Sequence, residues 1–186
     1  MARRRPGIFC VEGGWSPKLT DKQSVRPLLE YLEGVGQIRF LHDNVRTVSE
    51  LVHIIKLWPQ RQYQRYSIGY FGFHGVPGKL RIGRKFITLD ELADSMNGSS
   101  AGKTIYFGSC SVLNLPRREI ETFRKATRAR CVAGFDRDID WHESAAFDLI
   151  LFEALTYYQR IDAVDRWLHD NYGPLAKRLG FRMVYG

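Results

Sequence analysis

The sequence has few cysteines and no closely spaced pair of them. Cys10, Cys110 and Cys131 are the only three in 186 residues, and they form no C-x-x-C motif. A disulfide framework or a cysteine zinc site is therefore not expected, because both need paired or clustered thiols. Cys10 and Cys131 lie inside apolar segments, which is typical of small buried side chains.

Long hydrophobic runs are also missing. No stretch approaches the roughly 18 consecutive apolar residues that a membrane span needs, so no membrane association is expected. The start, Met-Ala-Arg-Arg-Arg-Pro, passes directly into the apolar segment GIFCV. That segment is too short for a secretion signal and lacks a small-residue cleavage site, which predicts a cytoplasmic protein.

Nucleotide-binding and metal-binding motifs are incomplete. Gly13 and Gly14 follow the first predicted strand, but the full G-x-G-x-x-G pattern is absent, so a phosphate-binding loop is only weakly indicated. No histidine stands at metal-ligand spacing with another His, Cys or acid, and no metal is expected. His42 ends the second predicted strand, at the edge where ligands gather, while His53, His142 and His169 are expected to have structural or solvent-exposed roles.

The length and composition are those of one ordinary globular domain. The chain is 44% hydrophobic and 26% charged, and no repeat or linker divides it, so residues 1–186 are expected to form a single domain. The net charge of +8 suggests an acidic partner, a nucleic acid or an anionic surface. The basic residues are scattered, however, and the richest segment, at 116–130, is typical of a helix with a solvated face. Nucleic-acid binding, if it occurs, is expected to be non-specific.

Apolar segments that suit strands alternate along the chain with segments of helical periodicity. Strands are predicted at 7–12, 37–42, 66–74, 103–110, 130–135 and 181–185. Helices are predicted near 22–33, 47–57, 89–96, from 116 onward, 142–158 and 162–172, with a hairpin turning at Gly83 and Arg84. Apolar strands separated by helices indicate a parallel sheet covered on both faces. The expected fold class is α/β, a three-layer sandwich with a mostly parallel sheet of about six strands.

A histidine and a cysteine stand at the ends of two of these strands. His74 ends the segment YFGFH, and Cys110 ends IYFGSC. A single crossover joins the two strands, so they are expected to be neighbours about 5 Å apart, with both ends at the edge where ligands bind. A thiol and an imidazole that face one cleft predict nucleophilic catalysis. The N–H groups of Gly75 and Cys110 are the candidate oxyanion hole.

The order of these segments resembles the clan of caspase-like cysteine peptidases (caspases, metacaspases, clostripain, gingipain, separase), and within it the bacterial CHAT domains. The resemblance covers roughly residues 66–158. It rests on YFGFHG, a hairpin leading into ITLDELAD, IYFGSCSV, CVAGF and DWHESAAFDLILFEAL. It implies that His74 is the catalytic histidine and Cys110 the nucleophile of an endopeptidase that needs no cofactor.

The resemblance also implies partners. The substrate would be a protein or peptide, cleaved through a thioester acyl-enzyme. CHAT relatives are often effector proteases that a partner delivers or holds inactive, so a separate regulatory protein is expected, in a bacterial defence or cell-death system. Trp141, at the start of the long helix, either walls a substrate pocket or packs in the core.

The sequence departs from its relatives where they recognise P1, the substrate residue before the cleaved bond. Metacaspases and paracaspases carry an acid two places before the cysteine that helps recognise a basic P1 residue, and Gly108 stands there instead. Caspases and paracaspases place a specificity residue after the first strand, where Glu12 stands, and an acid there would favour Arg or Lys. Asp136, Asp138 and Asp140 are competing candidates for substrate binding. Each of these acids has the alternative role of a solvated or helix-capping carboxylate.

A second hypothesis assigns a similar fold but no catalytic activity. The protein would then be a catalytically silent caspase-like module, or a Rossmann-like sensor that uses its positive charge to bind a nucleotide or nucleic acid. The presence of both His74 and Cys110 favours the peptidase.

Overall fold

A computed structural model describes residues 6–18 and 20–186, and the Arg-rich start at residues 2–5 lies outside them. The strands are β1 (Gly7–Glu12), β2 (Arg39–Asn44), β3 (Tyr66–Gly72), β4 (His74–Val76), β5 (Lys79–Ile82), β6 (Lys85–Thr88), β7 (Thr104–Phe107), β8 (Cys131–Phe135) and β9 (Phe181–Tyr185). The α-helices are α1 (Arg26–Gly34), α2 (Val48–Leu57), α3 (Leu89–Met96), α4 (Arg117–Thr127), α5 (Trp141–Tyr157) and α6 (Ile161–Leu179).

The central sheet confirms the predicted fold class. Its six strands follow the order β2-β1-β3-β7-β8-β9, and all neighbours are parallel except β8 and β9. The strands β4, β5 and β6 form a separate antiparallel sheet. None of the described helices combines the length and the apolar character that crossing a membrane requires.

The core lies on both faces of the central sheet, because successive residues of a strand point to opposite sides. On one side, Phe71 and Phe107 pack with buried residues of α2, α3 and α4. On the other side, Tyr70 and Tyr106 pack with buried residues of α1, α5 and α6. Burial of apolar side chains on both faces accounts for the three layers.

The predicted strand over 66–74 is too long. β3 ends at Gly72, and His74 is the first residue of β4 in the small sheet. The backbone N–H of Phe73 donates to the Ser109 hydroxyl at 3.1 Å, so the chain leaves the ladder at that residue. His74 therefore lies two residues beyond the central strand instead of at its last position.

The predicted end of the last helix, at residue 172, is also wrong. Tyr172 has a non-helical backbone with φ of −134°, and Pro174 follows it, but the chain then continues as helix to Leu179. A proline disturbs the helical hydrogen bonds of the turn before it and kinks the helix. The proline in the sequence therefore marks a kink within the helix and not the end of the helix.

Candidate active site

The strands β3 and β7 are neighbours, and this positions the candidate catalytic residues. They pair in parallel, with Phe71 opposite Phe107, so both chains leave the sheet at the same edge. A cavity of about 220 Å³ lies there, and His74, Cys110 and Trp141 all line it. The fold thus brings together two residues that are 36 positions apart in the sequence.

The imidazole of His74 is oriented by a backbone carbonyl. Its Nε2 lies 2.7 Å from the carbonyl oxygen of Trp15, and its ring meets the Trp15 ring edge-on, with centroids 5.3 Å apart. A carbonyl oxygen can only accept a hydrogen bond, so Nε2 carries the proton. In the neutral ring, Nδ1 is then the unprotonated nitrogen that can act as a base.

The thiol of Cys110 is half-buried in the loop that follows β7. Its Sγ lies 3.9 Å from the carbonyl oxygen of Ile139, and no hydrogen bond joins it to His74 within the described residues. Catalytic hydrogen bonds often form or tighten only in the substrate complex, so a dyad does not require this hydrogen bond in the free protein. The next residue, Ser111, has a φ of +55°, which marks a sharp turn directly after the thiol.

Two anchors hold this loop. The buried Ser109 hydroxyl donates to the Phe71 carbonyl at 3.1 Å and accepts from the Phe73 N–H, so it joins the loop to the end of β3. On the other side, Nη1 of Arg182 in β9 donates to the carbonyl oxygens of Leu113, at 2.7 Å, and Leu115. The position of the thiol therefore depends on contacts with two strands, β3 and β9.

Gly75 lies against the same loop. A Cβ at this position would stand 2.2 Å from the Cys110 carbonyl oxygen and 2.4 Å from Cγ2 of Val112. Only glycine allows so close an approach of the two backbones. The assignment of the Gly75 and Cys110 N–H groups to an oxyanion hole stays a prediction.

Glu12 is buried behind the wall of the cavity, and its side chain is 1% exposed. Its Oε1 accepts hydrogen bonds from the Trp15 indole N–H, at 2.5 Å, and the Val25 N–H, at 2.8 Å. Its Oε2 contacts the Ser24 hydroxyl, at 2.6 Å, and Nε2 of His42, at 2.7 Å. Burial by itself raises the pKa of the Glu12 carboxyl, but these hydrogen bonds together hold the pKa below its usual value.

This network fixes the segment that carries Trp15, and through it the carbonyl that orients His74. Glu12 does not itself line the cavity. His42, which was expected at this edge of the sheet, is turned toward Glu12. The role of Glu12 in substrate recognition stays a prediction.

The acids after β8 have local partners. Asp136 forms an ion pair with Arg137 at 2.9 Å, and Asp138 accepts a 2.7 Å hydrogen bond from the Ser111 hydroxyl. Neither lines the cavity in the described part of the chain. Their predicted roles in substrate binding are untested.

Asp140 caps the following helix. Its Oδ1 accepts from the N–H groups of His142, at 2.8 Å, and Glu143, at 3.1 Å. The hydrogen bonds from Glu143 and then His142 lower the pKa of the Asp140 carboxyl. This is the helix-capping alternative given above for these acids.

Asp148 is the residue that the sequence analysis missed. It lies on α5, is 3% exposed and lines the cavity. The Tyr70 hydroxyl donates to its Oδ2 at 2.5 Å, and the Tyr106 hydroxyl donates to its Oδ1. Burial raises the pKa of the Asp148 carboxyl to about 7, although the hydrogen bonds from Tyr106 and Tyr70 oppose the shift. The available signal was a lone acid within the apolar helical segment AAFDLILF.

The other two cysteines are enclosed in the core, as predicted. Burial raises the pKa of the Cys10 thiol well above its ordinary value and that of Cys131 to about 12. Both thiols are therefore protonated and inert near neutral pH. Cys110, by contrast, is half-buried and lines the cavity described above.

Comparison with known proteins identifies a family and a fold. A family model described as "Family of unknown function (DUF6642)" matches residues 6–185. No curated protein matches the chain. The crystal structure of caspase-1 from Spodoptera frugiperda is similar, with a TM-score of 0.60 and 13% sequence identity over 98% of this chain and 87% of that one. At this identity the similarity shows a shared fold, which is caspase-like.

Proposed function

The chain belongs to the DUF6642 family of unknown function, and we propose that it is a cysteine endopeptidase with a His74–Cys110 dyad. One observation carries the proposal. His74 and Cys110 line the same cavity, and the Trp15 carbonyl holds His74 in the tautomer whose Nδ1 is free to accept a proton. A half-buried thiol and such a base that line one cavity are the components that nucleophilic catalysis needs.

The first half of the reaction forms an acyl-enzyme. Nδ1 of His74 accepts the thiol proton as Sγ of Cys110 attacks the carbonyl carbon of the scissile peptide bond. The N–H groups of Gly75 and Cys110 are the donors proposed to stabilise the oxyanion. The C–N bond then breaks, His74 gives its proton to the leaving amine, and the acyl group remains on sulfur as a thioester.

The second half releases the acyl group. His74 takes a proton from a water molecule, whose oxygen attacks the thioester carbonyl. The C–S bond breaks, the new carboxylic acid leaves, and the proton returns to the Cys110 sulfur. Trp15 acts on both halves as a positioning residue, because its carbonyl stabilises the imidazolium that forms in each.

The size of the cavity supports a peptide substrate over a nucleotide. Pockets for drug-sized ligands occupy about 300–1,000 Å³, and the volume here is about 220 Å³. A space of that size suits a single side chain of an extended peptide, with the remaining chain crossing the surface.

The resemblance to CHAT domains supports two finer proposals. One is that a separate protein controls the enzyme or delivers it to its substrate, as in a bacterial defence system. The other is that the enzyme acts in the cytoplasm. Both rest on analogy with those relatives.

The test is cleavage of a peptide library prepared from a bacterial proteome with a glutamate-specific protease. We expect the purified full chain to generate new peptide termini and the Cys110→Ala and His74→Ala variants to generate none. Both variants should keep the circular dichroism spectrum of the wild type, because neither side chain is in the core. Mass spectrometry of the products reports the cleaved bonds.

Cys131→Ala is the matched control. It removes a thiol from the core and should leave the cleaved bonds unchanged. Cleavage that survives in Cys110→Ala would contradict the proposal, and so would a wild-type chain that cleaves no peptide and forms no trappable thioester.

A further inference from the structure

The cavity has a partly exposed rim and a buried base. His74 and Cys110 lie at the rim, where both are half-buried. Tyr70 and Asp148 lie at the base, with exposures of 2% and 3%. A side chain that enters past the thiol therefore ends near a carboxyl group.

The Asp148 carboxyl group has no cationic partner in the described part of the chain. Within the described residues, no Lys, Arg or His forms an ion pair with Asp148. Its two hydrogen-bond donors are the neutral hydroxyls of Tyr70 and Tyr106, and the protonated thiol of Cys10 also lies near it. Buried charges in proteins are usually paired, since an unpaired one is costly to desolvate. An open cavity beside an unpaired acid leaves room for a cation from outside the chain.

The walls suit the rest of a cationic side chain. The rings of Trp15 and Trp141 meet at 78° with centroids 4.8 Å apart, and Leu28 and Ala145 add apolar surface. Aromatic faces attract cations, and the long stems of Lys and Arg pack well on apolar surfaces. Apolar walls with an acid at the base match a side chain that is apolar along its length and positive at its end.

We propose that this cavity binds the Lys or Arg side chain at P1, and that Asp148 is the specificity-determining residue. The inference rests on the proposed peptidase function and adds its substrate class. A positive side chain supplies the counterion that Asp148 lacks. A neutral side chain leaves the carboxyl unpaired, and an acidic one is repelled.

The first test compares peptides that differ only at P1. Arginine and lysine substrates should exceed the citrulline substrate, which has nearly the shape of arginine but no charge, by at least about 100-fold in kcat/KM. Asp148→Asn should reduce that ratio toward unity. Equal rates for arginine and citrulline, or a preference for leucine or aspartate, would overturn the inference and leave the peptidase function standing.

The second test needs no catalysis. Benzamidine, a planar cation, should bind to Cys110→Ala in isothermal titration calorimetry, and its neutral analogue benzamide should bind at least about 100-fold more weakly. No binding, or equal affinities, would overturn the inference. If the wild type cleaves no peptide while Cys110→Ala binds benzamidine selectively, the peptidase proposal fails and the cation site remains.

Two substitutions on α5 test the inference independently, in case the Asp148→Asn variant is too unstable to measure. Ala145→Arg places a cation three residues before Asp148, on the same face of the helix, where it fills the cavity. It should abolish benzamidine binding. Ala146→Arg adds the same charge at the next, exposed position and should leave the affinity unchanged. Equal affinity in both variants would place the bound cation elsewhere and contradict the inference.

Discussion

The ring of Tyr70 passes directly over Gly108, so closely that a Cβ at position 108 would stand 2.1 Å from Cε2 of the tyrosine. This close approach lets the Tyr70 hydroxyl reach Asp148 on the helix beyond. Packing against Tyr70 therefore explains why a glycine stands two residues before the thiol in this chain. Gly108 leaves space for the ring of Tyr70, whose hydroxyl donates to Asp148 at the base of the cavity.

Gly108→Ala should accordingly destabilise the protein. The new methyl group displaces the Tyr70 ring in a close-packed core, and overpacking of this kind costs about 1–3 kcal/mol. Urea unfolding followed by circular dichroism measures the loss. Gly14→Ala is the matched control, since nothing lies within 4 Å of a Cβ there, and it should change the free energy of unfolding by less than about 0.5 kcal/mol. Equal effects of the two substitutions would contradict the packing described here.

Glu12→Gln should reduce stability and, in the proposed peptidase, catalysis. The new amide group places a donor where a buried carboxylate oxygen accepts, and leaving such a group unsatisfied costs about 1–3 kcal/mol. The segment carrying Trp15 loosens, so His74 loses its orientation and kcat should fall more than KM changes. The exposed pair of Glu30 with Arg26 supplies the control, and Glu30→Gln should cost less than about 0.5 kcal/mol. A Glu12→Gln variant with wild-type stability would show that the network is not structural.

Asp148 should impose a pH dependence on stability. Its pKa is about 7 in the folded protein and has the ordinary value of 3.8 when the chain is unfolded. Between these values the folded state binds more protons than the unfolded state, so the contribution of Asp148 is present below pH 4 and is lost as the pH rises to 7. The expected slope is roughly −1 kcal/mol per pH unit.

Urea unfolding at several pH values, for the wild type and for Asp148→Asn, isolates this contribution. The difference between the two free energies of unfolding should decline across pH 4 to 7, because the other titrating groups cancel. A difference that stays constant across this range would show that Asp148 does not titrate there.

Iodoacetamide should modify Cys110 first. Cys10 and Cys131 are buried thiols with raised pKa values, whereas Cys110 lines a cavity that His74 also lines. Peptide mass spectrometry after brief labelling at neutral pH identifies the modified residue. In guanidinium chloride all three should react alike. His74→Ala should slow the labelling of native Cys110, and an unchanged rate would argue against the dyad.

The sequence predicts the strands that carry the candidate site because the patterns that indicate them lie within short segments. Apolar segments separated by helical periodicity define the strands, and the crossover rule makes β3 and β7 neighbours. His74 and Cys110 follow those strands, so their meeting at one cavity was predictable from spacing alone. The catalytic and oxyanion roles given to them remain predictions.

Other parts depend on contacts between residues far apart in the chain. The early end of β3 depends on Ser109, and the position of Asp148 depends on tyrosines in two strands that precede it by 78 and 42 residues. Glu12 was predicted as a recognition residue, but its four partners become visible only in the folded chain. No pattern within a short window carries such information.

The hydrogen bonds from Arg182 to the loop that carries Cys110 have a consequence for biosynthesis. The guanidinium and the Leu113 carbonyl that it holds are separated by 69 residues, and contacts of long sequence separation tend to form late because they close large loops. Until β9 has been synthesised and has docked, the loop that carries Cys110 lacks the two hydrogen bonds from Arg182. For the proposed peptidase, this predicts that catalytic activity appears only after the edge strand β9 has docked.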